Sequence, residues 1–561
     1  MKVSDYIVSF LAKKGINTVF GYIGGMITHL VDSLGNSNEI KFIQTYHEQT
    51  AAIAAEGYAI ESGIFGVAIA TSGPGATNMV TGIADAYFGN IPVLYITGQV
   101  NTNEYKYNKP IRQQGFQETD VVSIVKPITK YAVLVDKAEN ICYELEKAIY
   151  IATNGRKGPV LLDIPMDISK SEIDLENINH FVPKDENSTI IDLTEAIHAI
   201  NTAKRPMILI GGGCKEDRNN IEAFIKKHKL PFVTSLMGRG IINEQYENYF
   251  GMIGSYGNRC ANMAFEKIDL LIALGTRLDT RQTGVNLKDF MPNGKIIHVD
   301  IDENELKCHR LDNRISIHTD VSNFFKKLED YNPYFRIENN WIQWLQELKL
   351  NYNQEKEIQR FVTNKAPYLF ISELNKITKE GDIITTDVGQ NQMWVAQSLR
   401  FKRKQKFVTS GGLAPMGFSL PVAIGMAFAN PEKTIYCLNG DGGLHIALQS
   451  LLLISQYNLK IKVIVLNNSS LGMITQFQQL YFNNRMFGTT QESGYLEPSI
   501  KAIASAYNIP YIKMDENNID FSHMEENRYC LVDYTIDGLT TVSPKLEFNK
   551  PIYQPSPLLE N

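Results

Sequence analysis

Short apolar runs, each ending in Gly, Pro or Ser and each followed by an amphipathic stretch, recur along most of the chain. In residues 1–165 the runs are VFGYIGG, GVAIATSGPG, IPVLYITGQ and GPVLLDIP. The same pattern returns in RPMILIGGG, LPFVTSL, IDLLIALGTR and GKIIHVDID, and again in DIITTDVG, KTIYCLNGDGG, IKVIVLNN and RYCLVDYTI. Such alternation is typical of parallel sheets with crossover helices. The sequence therefore predicts an α/β fold with three doubly wound parallel sheets.

A length of 561 residues fits about three domains, because single domains commonly hold about 100–200 residues. We predict domains at 1–168, 188–332 and 367–540, followed by a proline-rich tail at 541–561. A polar, aperiodic segment from about 168 to 190 predicts a linker. Trp and Leu at helical spacing in 333–366 predict a bridge to the third domain, and the N-terminal residues predict the first helix of the fold rather than a leader.

The charge balance excludes several classes of partner. The net charge is -6, from 55 basic and 61 acidic residues, and no long Lys/Arg block predicts a nucleic-acid or lipid surface. No apolar run reaches the roughly 18–20 residues of a membrane span. The six cysteines are scattered without a C-x-x-C pair, which predicts a cytoplasmic protein without zinc or disulfides. We therefore expect a small-molecule substrate.

Polar residues suited to metal binding follow two successive strands of the third unit. Gly440-Asp441-Gly442 closes one apolar run, and Asn467-Asn468 closes the next. Because the carboxyl ends of parallel strands lie at one sheet edge, Asp441, Asn468 and the carbonyl of Ser470 can offer three oxygens to a hard octahedral cation. The alternative is two ordinary turns, since both segments are rich in turn-favouring residues.

This pattern resembles the fingerprint of thiamine-diphosphate enzymes, and the resemblance implies that these three residues hold magnesium. In TYHEQTAAIAAEGYA, Glu48 follows a short apolar strand and opens a helix. The resemblance implies that Glu48 hydrogen-bonds the pyrimidine ring of thiamine diphosphate and activates the cofactor. The alternative for a glutamate in the first turn of a helix is a structural role, either capping or interaction with the helix dipole.

The resemblance assigns further cofactor contacts in the loops GYIGG, TSGPGATN, TDVGQNQMWVAQ, SGGLAPMGFSLPVAIG, LNGDGG and LNNSSLGMITQF. In the family, the loops of the first and third units come from different subunits, which implies a homodimer or a dimer of dimers. The resemblance implies that Met416 wedges between the two cofactor rings, and the alternative is an ordinary core methionine. The assigned contacts are Ile23, Gly24, Pro74, Asn78, Gly389, Gln390, Asn391, Ala414, Met416, Gly440, Gly442, Gly443, Leu471, Gly472 and Met473.

The resemblance covers nearly the whole chain and is closest to acetolactate synthase catalytic subunits. It implies decarboxylation of pyruvate and transfer of the two-carbon unit to a second carbonyl, giving a 2-acetyl-2-hydroxy product. The middle unit resembles the FAD domain of that branch, although some relatives hold ADP or nothing there. The residues assigned to FAD are Gly211, Gly212, Gly213, Leu236, Met237, Arg277, Asp279, Arg281, Asp300 and Asp320. The residues assigned to the reaction are Glu48, Phe116, Gln117, Arg281, Met416, Met473 and Phe477.

The chain departs from that branch where substrate would bind. Phe477 stands where many synthases have a tryptophan, Met166 replaces a lysine of the substrate channel, and Asn391 replaces a histidine. The tail resembles that of proteins associated with polysaccharide sugars, so one alternative is transfer of the acetyl unit to a nucleotide-linked keto sugar. A second alternative is an FAD-dependent 2-oxo acid oxidase. The sequence leaves open whether the chain binds a regulatory subunit.

Overall fold

The computed structural model describes residues 1–176, 178–183 and 191–559. This part of the chain contains three six-stranded sheets in which every strand pairing is parallel, so the predicted fold class is confirmed. Each predicted domain range contains one sheet, and the domain boundaries themselves stay predictions. The predicted linker at 168–190 and the predicted start of the central domain fall partly outside the described residues.

The eighteen strands of the described residues divide evenly among the three sheets. The first sheet contains β1 (Thr18–Tyr22), β2 (Lys41–Gln44), β3 (Gly66–Ala70), β4 (Val93–Gln99), β5 (Tyr131–Leu134) and β6 (Val160–Pro165). The second contains β7 (Pro206–Ile210), β8 (Phe232–Thr234), β9 (Tyr249–Met252), β10 (Leu270–Leu274), β11 (Lys295–Asp300) and β12 (Arg314–His318). The third contains β13 (Ile383–Thr386), β14 (Lys406–Val408), β15 (Ile435–Gly440), β16 (Ile461–Asn467), β17 (Tyr511–Met514) and β18 (Cys530–Thr535).

Helices join the strands and cover the sheets. In the first unit they are α1 (Val3–Lys13), α2 (Thr28–Gly35), α3 (Glu48–Ser62), α4 (Pro74–Asn78), α5 (Val80–Gly89), α6 (Val121–Val125), α7 (Ile141–Thr153) and α8 (Met166–Lys170). The second has α9 (Thr194–Thr202), α10 (Arg218–His228), α11 (Arg259–Ala264), α12 (Thr280–Thr283), α13 (Glu303–Lys307) and α14 (Val321–Asp330), and the bridge has α15 (Asn339–Asn351) and α16 (Gln354–Phe361). The third has α17 (Ala366–Ile377), α18 (Gln390–Ser398), α19 (Ser419–Ala429), α20 (Asp441–Ile446), α21 (Leu451–Tyr457), α22 (Gly472–Tyr481), α23 (Ile500–Ala506) and α24 (Ser522–Glu526). Among the described helices, none combines the length and the apolar character required to cross a bilayer.

Strand order shows where each sheet can bind a ligand. The first and third sheets share one topology, β2-β1-β3-β4-β6-β5 and β14-β13-β15-β16-β18-β17. The central sheet has the order β12-β11-β10-β7-β8-β9, which is the order of dinucleotide-binding sheets. Ligands bind such sheets outside the carboxyl ends of the strands, where the strand order reverses. The expected sites are therefore next to β1 and β3, β7 and β10, and β13 and β15.

The first and third units pack together through helices α3 and α19. A Cβ atom on Gly57 would lie 2.0 Å from the Val422 carbonyl oxygen, and one on Gly425 would lie 1.8 Å from the Ala54 carbonyl oxygen. The two backbones therefore touch directly, which only glycine permits. Most α3 side chains are alanine or other buried residues, as this close packing requires.

Gly425→Ala is expected to lower the free energy of unfolding by about 1–3 kcal/mol or more, because the added methyl group meets backbone that cannot rotate away. Gly35→Ala is the matched control, since a Cβ at that helical position meets nothing within 4 Å. Denaturant unfolding of both variants measures the difference. Equal stability of Gly425→Ala and the wild-type protein would contradict the backbone contact.

Candidate active site

Glu48 lies at the start of α3, just beyond the carboxyl end of β2. The cap of this helix is His47, whose Nδ1 atom accepts from the Gln49 amide at 3.1 Å, so the Glu48 carboxylate is not the capping group. Glu48 is 7% exposed, and its Oε2 atom accepts from Asn78 Nδ2 at 2.9 Å. A Cβ on Gly75 would lie 3.2 Å from Glu48 Oε1. The carboxylate is thus held by α4 and is free to bind one more donor.

The segment after β3 contacts this glutamate through Gly75 and Asn78, and the loop after β1 touches that segment. A Cβ on Gly24 would lie 2.5 Å from the Thr71 side chain, so the two loops touch at the point where the strand order reverses. The same loop region holds Ile23, Pro74 and Asn78, which the sequence assigns to the cofactor. Gln117 has a positive φ of 63° and its carbonyl lies against Gly73, whereas the neighbouring Phe116 is 81% exposed.

Three oxygens converge at the carboxyl ends of β15 and β16. Asn468 Oδ1 lies 2.8 Å from the Ser470 carbonyl oxygen and 3.2 Å from Asp441 Oδ1, and Asn468 Nδ2 donates to Gln390 Oε1 at 3.1 Å. Hydrogen bonding alone favours the opposite amide orientation, in which Asn468 Nδ2 donates to the Ser470 carbonyl and to Asp441 Oδ1, whereas a cation bound between these groups favours the amide oxygen at that position. In an octahedral magnesium shell with bonds of about 2.1 Å, adjacent oxygens lie about 3 Å apart. The observed spacing therefore fits magnesium bound by Asp441, Asn468 and Ser470.

The electrostatics of Asp441 also favour a cation. This side chain is buried, and burial raises its pKa to about 6, partly offset by a hydrogen bond from Tyr495. A nearby positive charge would favour the ionised form of a carboxyl group held in this way.

The glycines next to Asp441 pack closely against other side chains of the site. Around the Gly442 Cα atom lie Met416 Cε and Leu471 Cδ2, at 3.2 Å and 3.1 Å from the position a Cβ would take. Met416, Leu471 and Gly442, all assigned to the cofactor from the sequence, therefore lie next to one another.

Asp387, which the sequence does not single out, organises the third unit. Its carboxylate accepts from the backbone amides of Gly417 at 2.9 Å and Phe418 at 3.1 Å. A Cβ on Gly443 would lie 1.8 Å from Asp387 Oδ2, and burial raises the pKa of Asp387 to about 6. Asp387 therefore ties the loop carrying Met416 to the loop carrying Asp441. The available signal was a carboxylate at the end of an apolar strand.

The segment from Gly389 to Asn391 opens α18 beside the same site. Gln390 supports Asn468, and its Nε2 atom donates to the Thr540 carbonyl at 2.8 Å. Asn391 is buried and its Oδ1 atom has no hydrogen-bond partner among the described residues. A Cβ on Gly472 would lie 2.0 Å from Gln390 Oε1, so this glycine is required for packing. Ala414, another predicted contact, has a positive φ of 61° in the loop before Met416.

A cavity of about 820 Å³ opens at the strand-order reversal of the central sheet. A Cβ on Gly211 would lie 2.2 Å from the Gly275 carbonyl oxygen, which brings the loops after β7 and β10 into contact. Asp279 and Asp320 cap α12 and α14, so their carboxylates already accept backbone amides. The lining includes the predicted residues Gly212, Gly213, Leu236, Met237, Arg277, Asp279, Arg281, Asp300 and Asp320. Six further cationic residues, which the sequence does not single out, line it: Arg156, Lys157, Lys215, Arg218, Arg239 and Lys406.

The tail packs over the helix that carries Met473 and Phe477. The Phe548 ring lies 6.4 Å from that of Phe477 and 5.3 Å from that of Tyr481, and Phe477 is 41% exposed. The Leu546 amide donates to the Ser255 carbonyl at 2.6 Å, which places the tail beside the segment carrying Arg281. Met166 begins α8 at the end of β6. The aperiodic tail thus contributes Phe548 to an aromatic wall whose other members, Phe477 and Tyr481, lie on α22.

A buried carboxyl pair connects the first unit to the Met416 loop. Ser410 Oγ donates to Asp85 Oδ1 at 2.5 Å and accepts from the Ala414 amide at 2.9 Å. Burial raises the pKa of Glu56 well above its usual range, with a further contribution from Asp85, and burial raises the pKa of Asp85 to about 6. At neutral pH this pair therefore opposes folding.

Glu56→Gln is expected to raise the unfolding temperature at pH 7 by a few degrees and to have little effect at pH 4. Carboxyl groups whose pKa is raised in the fold stabilise it below their unfolded pKa of about 4, and that stability is lost as the pH rises through the folded value. Glu39→Gln, at an exposed site, is the control. The assignment fails if thermal unfolding of Glu56→Gln follows the wild-type pH profile.

Three family models match successive parts of the chain. The thiamine pyrophosphate enzyme N-terminal TPP binding domain matches residues 1–124, the central domain matches residues 193–328, and the C-terminal TPP binding domain matches residues 387–527. The central sheet and the two half-sites lie within these ranges, whereas β5, β6, β13 and β18 lie outside them. Fold and site together therefore define a thiamine pyrophosphate enzyme.

Curated relatives match over nearly the full length. The chain is 36% identical to the acetolactate synthase large subunit of Lactococcus lactis, over 97% of this chain and 94% of the relative. It is 36% identical to acetolactate synthase isozyme 2 large subunit of Escherichia coli, over 91% and 90%. Acetolactate synthase 2, chloroplastic, of Nicotiana tabacum is 34% identical, over 91% and 77%. The chain belongs to the acetolactate synthase family of thiamine pyrophosphate enzymes.

Proposed function

We propose that the chain decarboxylates pyruvate and joins the remaining two-carbon unit to the carbonyl of a second pyruvate, giving acetolactate. The observation that carries this proposal is the matched pair of half-sites, one with a held glutamate and one with three converging oxygens, at equivalent positions of two sheets with the same topology. Similar proteins named acetolactate synthase support the same reaction.

Each half-site has a separate task in this proposal. Glu48 binds the pyrimidine ring and holds a proton at its nitrogen, and Asn78 keeps the Glu48 carboxylate in place. Asp441, Asn468 and Ser470 would hold magnesium, and Gly442 and Gly443 let their loop pack against Met416, Leu471 and Asp387. When bound, thiamine diphosphate supplies the nucleophilic carbon and the electron sink for decarboxylation.

The proposed enzyme is a homodimer, or a dimer of dimers, with each active site shared between two chains. The support is exposed apolar side chains around both half-sites, which soluble monomers rarely leave uncovered. Those near Glu48 include Tyr22, Ile23, Tyr46 and Phe116, and those of the third unit include Leu413, Ile446, Ile474 and Phe487. Sedimentation is expected to give at least twice the chain mass of 63.3 kDa. A fully active monomer would contradict the shared site.

Two further proposals concern a partner subunit and the cellular location of the enzyme. The similar proteins are named as large subunits, which supports a smaller regulatory partner for this chain. All six cysteines are free, which supports a cytoplasmic location because that compartment keeps thiols reduced.

We assign the central cavity to FAD. The support comes from the dinucleotide-type strand order, the touching glycines at the reversal point and the positively charged lining. The cavity volume of about 820 Å³ is in the range for cofactor sites. The purified protein is expected to carry a yellow chromophore that is released on denaturation. A flavin spectrum unchanged by anaerobic pyruvate would count against the oxidase alternative, and bleaching would support it.

A second candidate function is transfer of the two-carbon unit to a nucleotide-linked keto sugar. The observation that favours it is the partly exposed aromatic wall of Phe477, Tyr481 and Phe548, which offers flat surfaces to a larger acceptor. In this case pyruvate is only the donor, and carbon dioxide release accelerates when the acceptor is added.

Labelled pyruvate, thiamine diphosphate and magnesium, followed by mass spectrometry of the products, test these functions together. Acetolactate formed from pyruvate alone supports the first candidate, and a product formed only with a keto sugar supports the second. The matched control is the same reaction with EDTA added to remove magnesium. Absence of acetolactate at every pyruvate concentration would overturn the first candidate.

A further inference from the structure

Residues 489–497 form a strap across the loop that carries Asn468. At one end, the Thr489 carbonyl accepts from the Leu471 amide at 3.0 Å and from Ser470 Oγ at 2.8 Å. At the other end, the Glu497 carboxylate accepts from Asn467 Nδ2 at 2.6 Å and from Ser469 Oγ at 2.5 Å. The strap is thus tied to residues on both sides of Asn468.

Tyr495, near the middle of the strap, reaches the proposed metal ligand Asp441. Its hydroxyl donates to Asp441 Oδ2 at 2.7 Å, whereas Asp441 Oδ1 is the oxygen that lies 3.2 Å from Asn468 Oδ1. The two carboxylate oxygens therefore face different partners. The tyrosine ring is half-buried, and its hydroxyl oxygen lies 3.2 Å from where a Cβ on Gly442 would stand.

This arrangement restricts how Asp441 can bind a cation. A free carboxylate rotates about its terminal bond and can bind a metal through one oxygen or through both. A hydrogen bond to Oδ2 fixes that rotation and leaves Oδ1 as the single oxygen directed at the cation. Hydrogen-bond partners of this kind orient metal ligands, and their loss commonly costs about 10- to 100-fold in metal affinity.

We propose that Tyr495 is a positioning residue that fixes the Asp441 carboxylate for monodentate binding of magnesium, and that residues 489–497 hold Tyr495 against the site. The inference rests on the proposed magnesium site. It adds a residue that contacts neither substrate nor cofactor and that acts only through Asp441. Glu497 contributes negative charge near the site, but its oxygens are already occupied by Asn467 and Ser469.

The test compares Tyr495→Phe with Tyr131→Phe. Tyr131 donates to the Glu144 carboxylate at 2.6 Å in the first unit, so Tyr131→Phe removes the same kind of bond far from the metal site in sequence and fold. Binding of Mg²⁺ in the presence of thiamine diphosphate is measured by calorimetry for the wild-type protein and both variants. Tyr495→Phe is expected to raise the Mg²⁺ dissociation constant about 10- to 100-fold. Tyr131→Phe is expected to leave it unchanged.

A second readout separates positioning from a general structural defect. Calcium accepts irregular and bidentate coordination, whereas magnesium demands near-ideal octahedral geometry. Tyr495→Phe is therefore expected to weaken Ca²⁺ binding less than Mg²⁺ binding and to recover thiamine diphosphate affinity at high Mg²⁺. A Mg²⁺ dissociation constant within twofold of wild type, or equal losses for both ions, would overturn the positioning role. If the wild-type protein itself binds no Mg²⁺, the magnesium site fails as well.

Discussion

Glu48→Gln is expected to lower pyruvate turnover by about 100- to 10,000-fold, the usual contribution of a positioned acid or base. Glutamine keeps the shape of the side chain and a carbonyl oxygen that can accept from Asn78, so the packing of α3 and α4 should survive. It cannot, however, exchange a proton with the pyrimidine nitrogen. Turnover is followed as carbon dioxide release, and cofactor affinity by calorimetry.

Two results would distinguish this chemistry from a packing defect. Cofactor affinity of Glu48→Gln is expected to stay within about tenfold of wild type, because most cofactor contacts belong to the other half-site. Asn78→Ala retains the Glu48 carboxylate but removes the donor that fixes its position, and it is expected to give a smaller loss than Glu48→Gln. Unchanged turnover of Glu48→Gln would refute the role of this residue.

The central strands of all three sheets can be predicted from the sequence because they are buried on both faces. β4 and β16, for example, are buried along their whole length and form continuous apolar runs. Most edge strands escape prediction for the opposite reason. β12 alternates buried and exposed residues, and β5 is only partly buried, so neither produces such a run.

The residues of the candidate site also differ in whether the sequence alone reveals them. Asp441 and Asn468 can be found because they stand in short motifs directly after apolar strands, and Glu48 because it opens an alanine-rich helix. Asp387 ends an apolar strand, but its partners, like those of Tyr495 and Phe548, are distant in the chain, so no local pattern identifies the roles of these residues. Contacts of this kind depend on tertiary packing, which strand and helix periodicity does not encode.

Asp441→Ala is expected to abolish magnesium-dependent binding of thiamine diphosphate, with more than about 100-fold loss of Mg²⁺ affinity, since it removes the only carboxylate among the three proposed ligands. Its effect on the metal-free protein should have the opposite sign. Burial raises the pKa of Asp441 to about 6, so at pH 7 the uncompensated carboxylate destabilises the fold and its removal relieves that cost. The metal-free variant is therefore expected to unfold at a temperature equal to or above that of the metal-free wild-type protein.

Thermal unfolding with and without Mg²⁺ and thiamine diphosphate measures both effects. Ligands at about 100 times their dissociation constant stabilise a protein by about 2.7 kcal/mol, so the wild-type protein should show a clear upward shift and Asp441→Ala should show none. Asp520→Ala, an exposed aspartate of the same unit, is the matched control and should shift like wild type. If Asp441→Ala retains the full ligand-induced shift, the three converging oxygens do not hold the metal, because a site reduced to one amide and one carbonyl oxygen lacks the charge that a divalent cation requires.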